Sequence, residues 1–158
     1  MKPIIAIVGP GKCSQTEADL AESVGAMIAK REAIVVCGGG GGVMEAVCRG
    51  AVNAGGITVG ILPGTEVSEG NCYLTIALPT GLGEARNALV ATAGQSMISI
   101  GGSYGTLSEI ALALKAGRKV IGLETWSASD HAERQLDVLS AKDAAGAVAM
   151  ALSEVEDA

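Results

Sequence analysis

Phenylalanine is absent from the sequence, and one Trp and two Tyr bring the aromatic content to only 2%. A core of this chain is therefore built from Ala, Val, Ile, Leu and Met. Hydrophobic residues make up 49% of the 158 positions, enough for a sizeable interior. Histidine occurs once, and none of Cys13, Cys37, Cys48 and Cys72 forms a C-x-x-C pair. Structural zinc sites draw on His and Cys at short spacings, so no metal site is expected. Cys37 lies in a strand-like apolar run and Cys48 in a helix-like one, and both read as buried free thiols of a reducing cytosol. The eleven Lys and Arg form no run and the net charge is −6. That argues against a general nucleic-acid binder, which neutralises phosphates with clustered cations. No apolar stretch reaches the ~18 residues of a membrane helix. The start, "MKPIIAIVGPGK", has one Lys and too short an apolar run for a signal peptide. A cytoplasmic protein with neither membrane nor nucleic-acid partner is expected.

What the chain does have is glycine, 23 residues of it, clustered at particular joints. Apolar β-branched runs and helix-spaced runs alternate from end to end. The strands are expected at 3–9, 33–39, 58–64, 73–81, 96–102 and 119–125, with a short seventh at 135–140. Helices are expected at 14–31, 42–55, 83–94, 106–117 and 141–155. Ser14 and Glu17 form an S-x-x-E capping box at the first helix. Strands that are apolar throughout are buried on both faces, and strand–helix alternation implies right-handed βαβ units. The expected fold is a single α/β domain over 1–158, a doubly wound parallel sheet with helices on both faces.

In this scheme the glycines fall where strands end: Gly9 and Gly11, Gly38 to Gly42, Gly64, Gly81 and Gly83, and Gly101, Gly102 and Gly105. All of these lie on the carboxyl edge of the sheet, where open α/β sheets bind ligands. "CGGGGGVMEA" runs directly from strand to helix. Its Gly38, Gly39, Gly40 and Gly41 allow close backbone approach beside a helix N-terminus that favours anions. It is not a dinucleotide fingerprint, because residues 57–63 contain no acid. "GPGKC" is not a P-loop either, since Ala6 and Cys13 stand where that motif needs Gly and Ser or Thr. It reads as a turn at the edge of the site.

In "IGGSYGTLSE", Thr106 and Glu109 form a second capping box, with Thr106 as the expected N-cap. A cap alone leaves Gly101, Gly102 and Gly105 without a purpose, and a phosphate cradle supplies one. Arg86, in "GLGEARNALV", sits near the same edge. It pairs with Glu84 at the surface or faces a ligand, and the second reading is preferred.

These segments together resemble the LOG-like proteins. "IGGSYGTLSE" is similar to their P-G-G-x-G-T-x-x-E signature, "CGGGGGVMEAV" to their second glycine motif, and "GEARN" to their arginine-bearing segment. The resemblance implies a Rossmann-like, usually oligomeric fold. In its enzymes, phosphoribohydrolases acting on nucleoside 5′-monophosphates, the arginine and glutamate are catalytic and the glycine–threonine loop holds the phosphate. By that resemblance Arg86 and Glu109 are catalytic, and Gly101, Gly102, Gly105 and Thr106 bind phosphate. The chain departs from the pattern at Ile100, where the signature has proline, and at Asn87, where it has lysine. These departures resemble the branch of molybdenum-cofactor carriers. The ligand implied is a nucleotide monophosphate or the molybdenum cofactor, with no further cofactor required. The apolar helices "IALALKAG" and "AGAVAMAL" point to a homo-oligomer, a dimer or tetramer.

Overall fold

The computed structural model describes residues 1–156. Seven parallel strands form one sheet in the order β4-β3-β2-β1-β5-β6-β7. The strands are β1 (Ile4–Val8), β2 (Ile34–Cys37), β3 (Ile57–Leu62), β4 (Ile76–Pro79), β5 (Ser96–Ile100), β6 (Lys119–Leu123) and β7 (Val138–Ser140). The helices are α1 (Gln15–Lys30), α2 (Val43–Asn53), α3 (Asn87–Ala93), α4 (Tyr104–Lys115) and α5 (Ala144–Glu156). The α/β doubly wound architecture is thus as expected, including the short seventh strand. The end of the C-terminal helix, expected to be poorly capped, lies outside the described residues.

Alternation within each strand divides the interior into two layers. Ile5 and Ile7 point to one side, with Val35, Cys37, Ile98 and Ile100, and α1, α2 and α5 cover them. Ala6 and Val8 point to the other, with Val36, Met97 and Val120, under α3 and α4. Fully burying one such aliphatic side chain contributes about 1.5–3 kcal/mol. Polar atoms inside are matched: Ser96 Oγ donates to the Ala151 carbonyl at 2.9 Å, tying β5 to α5.

Two elements are shorter than the sequence implies. Strand β4 begins only at Ile76, because residues before it turn back onto the glycine loop. There Asn71 Nδ2 donates to the carbonyls of Gly39 (3.2 Å) and Gly40 (2.9 Å). The stretch expected as one helix over 83–94 opens with a 3₁₀ turn, Gly83–Arg86, before α3. The apolar residues of α5 are used within the chain, since Ala144, Ala147, Val148, Ala151 and Leu152 are all buried.

With no Phe to space them, α1 and α2 approach very closely. Gly25 faces the Val47 carbonyl, and Gly50 faces the Glu22 carbonyl, with no room for a Cβ at either. Alanine there gains up to ~1 kcal/mol of helix propensity. It also forces two backbones apart, and overpacking of this kind costs typically ~1–3 kcal/mol. Gly50→Ala is therefore expected to lower unfolding free energy in a denaturant titration. An unchanged or higher midpoint would show that the helices separate freely.

Candidate functional site

Strand β5 ends in a loop that is held from two sides. Gly101 has φ +63°, a left-handed turn that suits glycine. Thr125 Oγ1, just after β6, donates to the Gly101 carbonyl at 2.5 Å, and Trp126 Nε1 donates to the Ser103 carbonyl at 2.9 Å. The turn delivers Ser103 in an extended conformation as the N-cap of α4, its Oγ accepting from Thr106 N–H at 3.4 Å. This corrects the expectation that Thr106 caps the helix. Ser-x-x-Thr and Thr-x-x-Glu both fit a cap, and the Gly101 turn selects the earlier start. Glu109 is thereby released from capping. It lies in the second turn of α4, where it is only 7% exposed.

Arg86 reaches Glu109 from the 3₁₀ turn that precedes α3. Its Nη1 lies 3.6 Å from Glu109 Oε1 and donates to Asn87 Oδ1 at 3.0 Å. Asn87 Nδ2 in turn donates to Ser108 Oγ at 3.3 Å, so Asn87 bridges Arg86 to α4. Behind the guanidinium stands Gly38, where any Cβ would overlap it. The alternative surface pairing of Arg86 with Glu84 is not what forms. Arg86 Nε is buried without a partner, a donor left available on the cleft side of a charged side chain.

These groups line a cleft of about 330 Å³ with Gly9, Gly11, Met44, Pro63, Glu84, Asn87, Ser103, Gly105 and Thr106. Of the residues singled out in the sequence, Arg86, Glu109, Gly105 and Thr106 come together here. The "GPGK" turn contributes Gly9 and Gly11, as its position at the edge suggested. Gly38 touches the site through Arg86. Gly39 packs against Leu62 at φ +74°, Gly40 and Gly41 lie by Met44 and the Gly11 carbonyl, and Gly101 and Gly102 shape the loop from outside the cleft. Met44, Pro63, Glu84 and Ser103 carry no motif signal that could have marked them. Helix α2 starts at Gly42 with no side-chain cap, so its amino end is open toward this edge.

Burial raises the Glu109 carboxyl from its ordinary 4.5 to about 7, against the opposing pull of Arg86. Desolvation outweighs the ion pair because the two groups stand beyond hydrogen-bond distance. The site therefore holds a carboxyl balanced between its acid and its anion at neutral pH, beside a fixed guanidinium.

A parallel sheet wound to both sides of a central strand, with a glycine-lined cleft at its carboxyl edge, defines a Rossmann-like protein. The chain belongs to the SLOG cluster4 family, whose model matches residues 2–152. It is 41% identical over 120 residues to an uncharacterized protein of Archaeoglobus fulgidus, covering 76% of this chain and 79% of the other. Among solved structures it is similar to the molybdenum cofactor binding protein of Rippkaea orientalis, at 33% identity, TM-score 0.89 and 98% coverage of both chains. It is also similar to the molybdenum cofactor carrier protein of Chlamydomonas reinhardtii, at 34% identity, TM-score 0.84 and 99% coverage of both. These matches place it among LOG-like proteins, in the branch resembling those carriers.

The raised Glu109 value makes a stability prediction with a definite sign. The folded state holds the proton more tightly than the unfolded chain, so this contribution is full below pH 4.5 and lost as the pH rises through about 7. Glu109→Gln removes the charge. It is expected to unfold at higher temperature than wild type above pH 7, by on the order of 1–3 kcal/mol, and to match it below 4.5. A variant less stable than wild type at alkaline pH would show that the ion pair outweighs burial.

Proposed function

We propose that this protein is a carrier that binds a phosphorylated pterin of the molybdenum-cofactor type and does not turn it over. The cofactor is cargo in this reading, not a resident group. The observation that carries it is Arg86, whose Nε is buried and unpartnered at a cleft edged by glycine backbone. A phosphate supplies the missing acceptor, and Gly105 with Thr106 at the start of α4 offers further donors. Gly38 to Gly41, Gly101 and Gly102 let the chain turn tightly around that position. The similar proteins from Rippkaea and Chlamydomonas, described as binding or carrying the molybdenum cofactor, support the ligand class.

One feature of the site favours a second reading. A buried carboxyl of pKa about 7 beside an arginine is also the equipment of a general acid–base group. A phosphoribohydrolase would use Glu109 to steady positive charge on the ribose as the base departs. Asn87, however, ties Arg86 to Ser108 where LOG-like hydrolases have a lysine, which inclines the site toward holding a ligand.

The deciding experiment is base release from nucleoside 5′-monophosphates, followed alongside ligand binding by thermal shift. A carrier raises its melting temperature with a phosphorylated ligand, by linkage worth about 2.7 kcal/mol at a hundredfold excess over Kd. It releases no free base, and Arg86→Ala abolishes the shift. Base release that falls at least about a hundredfold in Glu109→Gln would establish the hydrolase instead. An anion beside Glu109 favours its protonated form, so affinity is also expected to weaken as pH rises through about 7.

We place the protein in the cytoplasm, on its unpaired thiols, and among the described residues no helix is long and apolar enough to cross a membrane. We also propose a homo-oligomer, which the exposed Ile76 and Leu78 of edge strand β4 support as an apolar surface for a second copy. Light scattering that finds only monomer at micromolar concentration would count against it.

A further inference from the structure

The sequence has three aromatic residues, and two of them stack at the rim of the cleft. Tyr104, the first residue of α4, and Trp126, just past β6, have ring centroids 5.9 Å apart and planes inclined by 29°. Trp126 is fixed through its bond to the Ser103 carbonyl, and its indole lies over Gly102, where a Cβ would collide with it. Tyr104 is nonetheless 84% exposed. It lines a second hollow of about 520 Å³ between α3 and α4, with Glu84, Asn87, Ala88, Gly105 and Ser108. Glu84, Asn87 and Gly105 also line the cleft of Arg86 and Glu109, so the two hollows are continuous.

We infer that this second hollow is the subsite for a planar fused heterocycle bearing a 2-amino-4-oxopyrimidine edge, with Tyr104 as its stacking platform. The inference rests on the phosphate reading of the first cleft. An exposed ring anchored by an indole keeps its orientation without being buried, as a platform requires. Every aromatic heterocycle has a π-face to stack, so Tyr104 supplies affinity rather than selection. Selection comes from Glu84, exposed at the lip shared by both hollows. A carboxylate accepts two parallel N–H bonds from the adjacent ring N–H and amino group of a pterin or guanine. Adenine lacks that donor pair. The amide of Asn87 and the hydroxyl of Ser108, already bonded to each other, stand beside it as adaptable partners.

Calorimetric titration with ribose 5-phosphate, GMP and AMP separates the two hollows. The first probe has the phosphate and no ring, and GMP carries the pterin-like edge. Wild type is expected to bind GMP more tightly than AMP, and AMP more tightly than ribose 5-phosphate. Tyr104→Ala should weaken GMP about 10- to 100-fold and leave ribose 5-phosphate unchanged, with Tyr104→Phe close to wild type. Glu84→Gln should erase the preference for GMP over AMP. Trp126, the single Trp, reports occupancy by its fluorescence. Equal affinity for GMP and ribose 5-phosphate, or equal losses for both in Tyr104→Ala, would overturn the inference and leave the phosphate site standing. Binding of none of the three by wild type would overturn both.

Discussion

Strand β1 lies at the centre of the sheet with β2 on one side and β5 on the other, and the site depends on that arrangement. The chain winds outward from β1 to β4, then returns and winds the other way from β5 to β7. Helix α1, which leaves β1, covers one face of the sheet, and α4, which leaves β5, covers the opposite face. Two adjacent strands that send their helices apart leave a crevice between their carboxyl ends. Gly9 and Gly11 enter it from β1, and Ser103 to Glu109 from β5. Pro63 after β3 and the turn carrying Arg86 after β4 close it from the side. Residues from four separate segments thus meet because of strand order, and no local motif assembles them.

Within the crevice, the Arg86–Glu109 pair contributes little as a stability device. Two buried charges lose hydration, and a separation of 3.6 Å returns only part of it, so the carboxyl stays raised. Arg86 is instead held in place by other means: Asn87 in front, Gly38 behind and little solvent around it. A guanidinium fixed this firmly, with a donor still unpartnered, is organised before anything binds. Preorganisation of that kind removes an ordering cost from binding, which suits a protein that must hold a ligand securely.

The order of elements was legible because the chain follows the rules that generate it: apolar runs for doubly buried strands, helical spacing between, and glycine at the joints. The carboxyl-edge site was legible for the same reason. Three features were not. The start of α4 was misread because Ser103 and Thr106 are both good caps, and the choice is made by Thr125 and Trp126, distant in sequence. The partner of Arg86 was hidden because Glu109 is brought to it by strand order. The glycine run after β2 was read as one ligand-facing unit, yet its members do different work. Gly39 makes room for Leu62, Gly42 for the Pro10 carbonyl and Gly38 for the Arg86 guanidinium. Such demands come from neighbours across the fold and leave no local mark.

The scarcity of aromatic residues connects the core to the rim. Layers of Ala, Val and Ile are thin, and α1 meets α2 across Gly25 and Gly50 without side chains between them. A large ring inside either layer would force backbones apart that are already in contact, so the interior has no place for one. None of the three aromatic residues is buried. Tyr73 lies against the Arg49 guanidinium at 5.8 Å, and Tyr104 and Trp126 stack at the mouth of the cleft. Bulk and apolar area cannot be why these rings are present, because the core is filled without them. What a ring offers at the surface is a flat polarisable face and, for Trp126, a single directed N–H donor. That donor fixes the loop carrying Ser103, and with it the start of α4 and the position of Glu109. The indole therefore links the geometry of the anion cleft to that of the exposed Tyr104 face, so that a change at either one is transmitted through the same short loop.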